Sequence, residues 1–288
     1  MSHIILKPKA QFGNILFQFA FAKVISIQLG GAPIFIDRTF GGKVLIDLGL
    51  AKELKHLPYF YRILYHHRHI GDKLVNFILR YSPFGYSHIN QNGGNPFRYG
   101  HLKSKVAIYG RLQDYNLFSA HAEVIKTCIK EAILNQAHTS EVEIKDGQLA
   151  VHIRRGDYLQ PRYLKSIGAL DAKYYIHAIK HVIDKHDVKQ IVIFTDDPED
   201  EDVKIIRKEF NCQCQSKSWI DDFIGIMSSE YRIISNSTFS WWASFLGEAR
   251  HPENIFAPIP FTITDSELHD KILPPTWSTF PSTWINAE

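Results

Sequence analysis

The chain lacks several features that would have narrowed its class at once. Only three of its 288 residues are cysteine, Cys128, Cys212 and Cys214, an odd number that excludes a fully paired disulfide framework and points to a reducing compartment. Cys212-Gln213-Cys214 is spaced too closely for a zinc knuckle and has no second pair to complete one. The N-terminal Met1-Ser2-His3-Ile4-Ile5-Leu6-Lys7 passes straight into a short strand and offers neither a signal peptide nor a spanning helix. These absences predict a cytoplasmic protein, and its basic and aromatic segments leave room for a peripheral membrane contact. A charge excess is missing too. Thirty-three basic against thirty acidic residues leave +3, too little to argue for a nucleic-acid partner, so basic groups matter only where they cluster.

What is present is an ordinary globular composition, 45% hydrophobic and 22% charged, on a chain long enough for two α/β domains with ample core. Thirteen tyrosines, nineteen phenylalanines and five tryptophans suit a groove that stacks a base or a sugar, although most such residues simply fill cores.

The order of elements predicts parallel sheets. His3 to Leu6 reads as a strand. The helix after Gly13-Asn14 carries Leu16, Phe17, Ala20, Val24 and Ile27 at three- and four-residue spacing, and Pro33 to Asp37 reads as a second strand. That is a βαβ opening. Between Thr39 and Asn95 the pattern is weak. His66, His67 and His69 lie close together there without the spacing of a metal site and read as a solvated basic face. Lys105 to Tyr109 is a strand closed by Gly110, with Arg111-Leu112-Gln113-Asp114-Tyr115 at its C-terminal end, where α/β sheets place ligands. The polar stretch from Asn135 to Gln148 reads as a boundary, giving domains over 1–145 and 146–288. In the second domain Leu149 to Arg154, Gln190 to Phe194 and Tyr231 to Ile234 are strands. A helix over Asp171 to Asp184 carries Tyr174, Tyr175, Ala178, Ile179 and Val182 on one stripe, another spans Glu199 to Phe210, and Asn254 to Ala257 closes the sheet.

Three polar segments stand at predicted strand ends. In Val151-His152-Ile153-Arg154-Arg155-Gly156-Asp157-Tyr158 an apolar run ends in two arginines, whose guanidiniums can fork onto phosphate oxygens. The competing reading is a salt bridge from Arg154 or Arg155 to Asp157. Ser235-Asn236-Ser237-Thr238 opens a helix over Phe239 to Leu246, where free backbone N–H groups and the macrodipole favour an anion; a plain N-cap explains the same residues. In Thr195-Asp196-Asp197, paired acids suit a divalent metal. We favour instead Asp196 accepting from a guanine edge while Asp197 caps the next helix, whose first turn Pro198 suits.

In this order the segments resemble the inverting α1,2-fucosyltransferase family that uses GDP-fucose. His152 to Tyr158 fits the family's first motif almost letter for letter, Phe194 to Asp197 fits its second loosely, and Ser235 to Trp242 fits its third closely. Gly110 to Tyr115 resembles its Gly-x-x-Gln-x-Tyr element. Of the family's N-terminal Gly-Gly-Leu-Gly-Asn-Gln-Met-Phe-Gln-Tyr-Ala run, Gly13-Asn14 and Phe17-Gln18-Phe19-Ala20 remain, whereas Ala10-Gln11-Phe12 replaces Gly-Gly-Leu.

The resemblance implies a GT-B fold of two facing Rossmann-like domains, with the acceptor on the first and the GDP-sugar on the second. It implies no metal and no cofactor, GDP-fucose being a substrate. Arg154 would pair with the diphosphate and, with Asp157 orienting it, carry catalysis. Arg155 would support the site, His152 would lie near the ribose or base, and Asp196 would read guanine. Ser235, Asn236, Ser237 and Thr238 would hold phosphate oxygens, with Gly13 and Asn14 also on the donor side. Asp37, Gln113, Asp114 and Tyr115 are the acceptor candidates. The acceptor would be an oligosaccharide or a lipid-linked glycan, as in O-antigen or other polysaccharide assembly, with sugar transferred to galactose O2 by a single inverting displacement. The altered loop at residues 10–12 keeps two alternatives open, a transferase using another GDP-sugar and a silent nucleotide- or glycan-binding protein.

Overall fold

Alternating short apolar strands and longer helices close into two parallel sheets, one in each of two compact units, Met1–Ala132 and Ile133–Glu288. The computed structural model describes residues 2–6, 11–36, 38, 41–56, 87–91, 104–248, 251–264 and 271–286. Asp37, Ala10 and the histidines at 66, 67 and 69 lie outside the described residues.

The first sheet has the order β3-β2-β1-β5-β4, with β1 at His3–Leu6, β2 at Ile34–Ile36, β3 at Lys52–Glu53, β4 at Ser87–Gln91 and β5 at Lys105–Gly110. All its pairings are parallel. The chain winds outward from β1 through β2 to β3, then returns to the other side of β1, so the winding reverses between β1 and β5. The helix Phe12–Gln28 buries Leu16, Phe17, Ala20 and Val24 as its spacing predicts, while Ile27 stays 37% exposed. Ile15, Phe19, Phe21 and Ile25 are buried as well, so the helix is hydrophobic nearly all round and belongs to the core.

The second sheet has the order β11-β10-β9-β6-β7-β8, all parallel. Its strands are β6 (Lys145–Ile153), β7 (Gln190–Thr195), β8 (Gln213–Gln215), β9 (Ser229–Ile233), β10 (Ile255–Ile259) and β11 (Ser278–Pro281). Leu149, Ala150, Val151 and Ile153 are at most 1% exposed, the signature of a central strand covered on both faces. Two edge strands differ from expectation. β8 and β11 are short and mixed in polarity, so neither carries a strand signal, and β10 does not close the sheet. β6 also starts at Lys145 rather than Leu149; the register shifts between those residues, where Gly147 N donates to Glu230 Oε2 at 2.7 Å. The helix Ala172–Lys185 buries Tyr174, Tyr175, Ala178, Ile179 and Val182 against the sheet.

One buried charge ties the helices of this unit together. Arg232 on β9 has no solvent exposure, and burial lowers its pKa to about 10. Its guanidinium donates to Ile226 O at 3.1 Å and Met227 O at 2.9 Å, at the end of the helix Trp219–Met227. It also donates to Ser244 O at 3.2 Å and Glu248 O at 2.9 Å, at the end of the helix Thr238–Leu246. These carbonyls form the negative ends of two helix dipoles, so one cation caps both. A Cβ on Gly247 would stand 2.4 Å from Met227 O and 2.7 Å from the guanidinium, which keeps that position glycine. Arg232→Met is expected to destabilise the protein by about 3 kcal/mol or more, because it removes the donors while leaving the carbonyls buried; urea denaturation measures it.

Candidate functional site

In the second sheet the winding reverses between β6 and β9, and open α/β sheets bind ligands outside the carboxyl ends of strands at such a switch point. β6 leads there into Arg154, β9 into Ser235 to Ser237, and β7, on the other flank of β6, into Asp196. The three polar segments, separated in sequence, are therefore consecutive along one sheet edge.

The two arginines have different environments. Arg155 has a fully buried side chain; Nε meets Asp200 Oδ1 at 2.7 Å and Nη2 meets Asp202 Oδ2 at 2.9 Å. Nη1 donates to Leu170 O at 2.9 Å and Arg154 O at 3.1 Å. Its guanidinium is engaged by the protein, so the expected pair of forked guanidiniums is reduced to one. Arg154 is that one, 25% exposed, with Nη2 2.6 Å from Asp157 Oδ1 and Nη1 2.9 Å from Asp196 Oδ2. It also stands over the Tyr158 ring at 5.5 Å. A guanidinium carries five N–H donors, so three remain after the two carboxylates. The salt-bridge and phosphate readings thus coexist, since the carboxylates hold Arg154 in place and leave it donors.

Both oxygens of Asp196 are engaged, Oδ2 by Arg154 and Oδ1 by Arg155 N at 2.8 Å. Its place beside Arg154 makes it an orienting carboxylate, whatever else it contacts. Asp197 accepts from Glu199 N at 3.1 Å but does not cap the following helix. Asp200 caps it, accepting from Val203 N at 3.3 Å, and the helix runs over Glu201–Phe210. Among the described residues no three His, Cys, Asp or Glu side chains form a metal-binding group.

Gly156 makes the turn possible: its φ is +36°, and a Cβ there would lie 2.4 Å from Asp196 Oδ2. Asp200, Asp202 and Tyr158 were not singled out from the sequence as site residues. The signal for the first two was Asp200-Glu201-Asp202, an acidic start to a predicted helix that reads equally as ordinary capping.

The third segment is largely structural. Ser235 Oγ and His152 Nδ1 are 2.8 Å apart, both buried. Asn236 Nδ2 donates to Gly168 O at 2.9 Å and Ile167 O at 3.3 Å, while its own carbonyl accepts from Tyr158 Oη at 3.3 Å. Ser237 is the N-cap of the helix Thr238–Leu246, accepting from Phe239 N at 3.3 Å. Thr238 and Phe239 are partly exposed, unlike Ser235, Asn236 and Ser237.

The first unit has its own switch point, between β1 and β5. Gln113 Nε2 donates to Asn14 Oδ1 there, joining the acceptor candidate on the β5 side to the start of the helix after β1, with Gly13 buried beside it. Gln18 Nε2 donates to Gly110 O at 2.7 Å. Asp114 caps a single 3-10 turn through Asn116 N at 2.9 Å. Tyr115 packs edge-on against Phe118 at 5.5 Å, and burial followed by the charge of Glu123 raises its pKa.

The architecture is that of GT-B glycosyltransferases, two Rossmann-like halves. Solved structures with this fold include E. coli heptosyltransferase WaaC with ADP, 9% identical with a TM-score of 0.51 over 97% of this chain and 93% of that one. Another is Arabidopsis thaliana FUT1 in complex with GDP, 11% identical with a TM-score of 0.53 over 91% and 71%. Residues 56–284 match Glycosyl transferase family 11, and the chain belongs to that family. Two E. coli relatives align over its half-length: the O-antigen biosynthesis glycosyltransferase WbnK, 29% identical over 50% of this chain and 52% of its own, and an alpha-1,2-colitosyltransferase, 30% identical over 51% and 53%. The chain spans about half the length of these curated relatives. No helix among the described residues is long and apolar enough to cross a membrane.

His152 gives the site a pH limit. Burial first, and the charge of Arg154 second, lower its pKa from the ordinary 6.5 to about 3. The unfolded chain therefore binds a proton that the folded protein refuses between those values, so the stabilisation is whole above pH 6.5 and is lost as pH falls towards 3. From pH 6.5 to pH 4 the loss is roughly 3 kcal/mol. Denaturant titrations across that range are expected to show His152→Gln losing less stability than the wild type.

Proposed function

We propose that the protein is an inverting glycosyltransferase that moves L-fucose from GDP-β-L-fucose to an oligosaccharide hydroxyl, galactose O2. The observation that carries this reading is Arg154, held by Asp157 and Asp196 at the switch point of the second sheet with three N–H donors remaining. A nucleoside diphosphate leaving group gains negative charge as its bond to the anomeric carbon breaks. A guanidinium fixed beforehand stabilises that charge without reorganisation. The start of the helix Thr238–Leu246 adds backbone N–H groups and the positive end of a dipole. Asp157 and Asp196 act as positioning residues, Arg155 anchors the turn from beneath, and His152, neutral above its depressed pKa, braces Ser235.

In this reading the second unit takes the GDP-sugar, and the Asn14–Gln113 bond of the first unit joins a residue expected on the donor side to one expected on the acceptor side. The acceptor hydroxyl oxygen attacks the anomeric carbon from the face opposite the diphosphate as the bond from that carbon to the diphosphate oxygen breaks; GDP leaves with the bonding pair, the hydroxyl proton passes to solvent, and the configuration inverts. Charge neutralisation by arginine and backbone N–H groups replaces the role a divalent ion plays elsewhere. A second reading keeps the same site with another sugar on the nucleotide, and the relative named as an alpha-1,2-colitosyltransferase supports it.

Incubation with GDP-fucose and with GDP-mannose, each beside galactose-terminated acceptors, separates the readings. Fucosylated product is expected, unchanged in EDTA; product from another GDP-sugar alone would retire the fucose assignment, and none from any donor would favour a silent binder. Arg154→Ala is expected to weaken GDP binding by calorimetry on the order of 100-fold, and Arg154→Lys to restore only part, since an ammonium keeps the charge and loses the fork. Gln113→Leu is expected to raise the acceptor KM while GDP affinity stays the same.

A further inference from the structure

At the outer edge of the first unit's sheet an open cavity of about 550 Å³ is lined by Arg38, Ile46, Lys52, Glu53, Lys55 and His56, none of which the reaction above uses. β2 and β3 pair with Ile36 opposite Glu53. Arg38 and Lys55, each two residues further on, therefore leave the sheet at the same carboxyl edge. That is also the edge at which Asn14 and Gln113 meet, two to three strand spacings away, roughly 10–14 Å.

A single carboxylate organises the cations. Glu53 Oε2 accepts from Lys55 Nζ at 2.8 Å and from Arg38 Nε at 3.0 Å. Glu53 is 14% exposed and its two partners 56% and 48%, so the acid lies beneath two side chains that reach into solvent. Hydrogen bonds from Lys55 first, and from Arg38, hold Glu53 below its ordinary pKa against the opposing effect of burial. Arg38 meets this acid through Nε, and its two terminal nitrogens keep the geometry that forks onto an oxyanion. Lys52 also lines the cavity; although the charge of Asp47 reaches Arg38 as well, the lining itself holds three cations and one carboxylate, a local positive excess on a chain that as a whole is nearly neutral. The volume suits a group of sugar-phosphate size rather than a bare ion.

We propose that this cavity binds a phosphate or diphosphate group carried by the acceptor, so that the charged end of the acceptor is fixed at the sheet edge and its sugar reaches the β1/β5 switch point. The proposal rests on the glycosyl-transfer reading, with the donor's own diphosphate held in the second unit.

Calorimetry tests it in two steps, GDP into the protein and then inorganic pyrophosphate into the GDP-saturated protein. A second saturable event is expected, weakened at least tenfold in the Arg38→Gln, Lys55→Gln double variant, whose GDP step and thermal midpoint match the wild type. No second event, or one of equal affinity in the variant, overturns the proposal. A missing GDP step beside a retained pyrophosphate event sinks the donor reading and leaves the phosphate site standing. A galactose-terminated oligosaccharide bearing a diphosphate ester is expected to have a KM at least tenfold below that of its methyl glycoside, and the double variant to erase the difference; equal KM values in the wild type overturn the link to the acceptor. Equal sedimentation of wild type and variant with phosphatidylglycerol vesicles supports the acceptor as the source of the phosphate. Vesicle binding that the variant loses and pyrophosphate does not compete assigns the cavity to a membrane surface instead.

Discussion

Everything at the second unit's switch point depends on Arg155 being held inside the protein. Beyond the end of β6 the backbone turns at Arg155 (φ −126°, ψ −104°), whose side chain enters the protein, while Arg154, one residue earlier, stays partly exposed at the sheet edge. Burying a guanidinium is costly unless partners surround it, and those partners are Asp200, Asp202 and two backbone carbonyls. Such a network adds little net stability over a well-packed apolar cluster. What it fixes is geometry: Arg155 ties the end of β6 to the start of the helix Glu201–Phe210 through its side chain, and to Asp196 through its backbone N–H.

The same strand ends explain why the carboxylates are so numerous. Asp196 and Asp157 grip Arg154 from two sides, and the absence of a Cβ on Gly156 lets Asp196 approach. Ser235, Asn236 and Ser237 bond to His152, to the 167–168 loop and to the helix start, respectively. Hydroxyl and amide groups that look like ligand contacts in the sequence thus brace the backbone that presents Arg154 and the helix end. The first unit repeats the logic more simply, with Gln113 bonded to Asn14 across its own switch point.

How much of this the sequence discloses follows from what each segment must satisfy. The central strand over Leu149 to Ile153 and the stripe from Tyr174 to Val182 were legible because burial imposes an apolar pattern on them. β8 and β11 were not, because an edge strand needs backbone partners on one side only and tolerates Gln213, Gln215 or Ser278. The cluster His152, Arg154, Asp157, Asp196 and Ser235 could be assembled from three strand ends, since a parallel sheet gathers them on one edge. The division of labour between two neighbouring arginines could not. It depends on Asp200 and Asp202, some 45 residues away, and Asp197 offered an equally good cap one turn too early. The Arg38–Glu53–Lys55 group escaped for a similar reason, since its members join only when β3 pairs beside β2.

Charge counting separates the two candidate anion sites by mechanism. Around the donor-side turn, Arg154 and Arg155 face Asp157, Asp196, Asp200 and Asp202, two cations against four carboxylates, with burial raising the pKa of Asp202. A diphosphate would gain nothing there from net charge; on the reading proposed above, its attraction would come from directed donors, the remaining N–H groups of Arg154 and the helix start, which act at contact distance. Selectivity at that site is therefore a matter of shape. The lining of the edge cavity reverses the balance, with three cations and one acid, so on the proposal above it would work through a field that reaches beyond contact and that salt screens within about 8–10 Å. A transferase needs its donor bound in one pose for in-line displacement, whereas its acceptor must first be collected and then led to the reacting edge. On the proposed assignments, the directional site would serve the first demand and the field-dominated site the second.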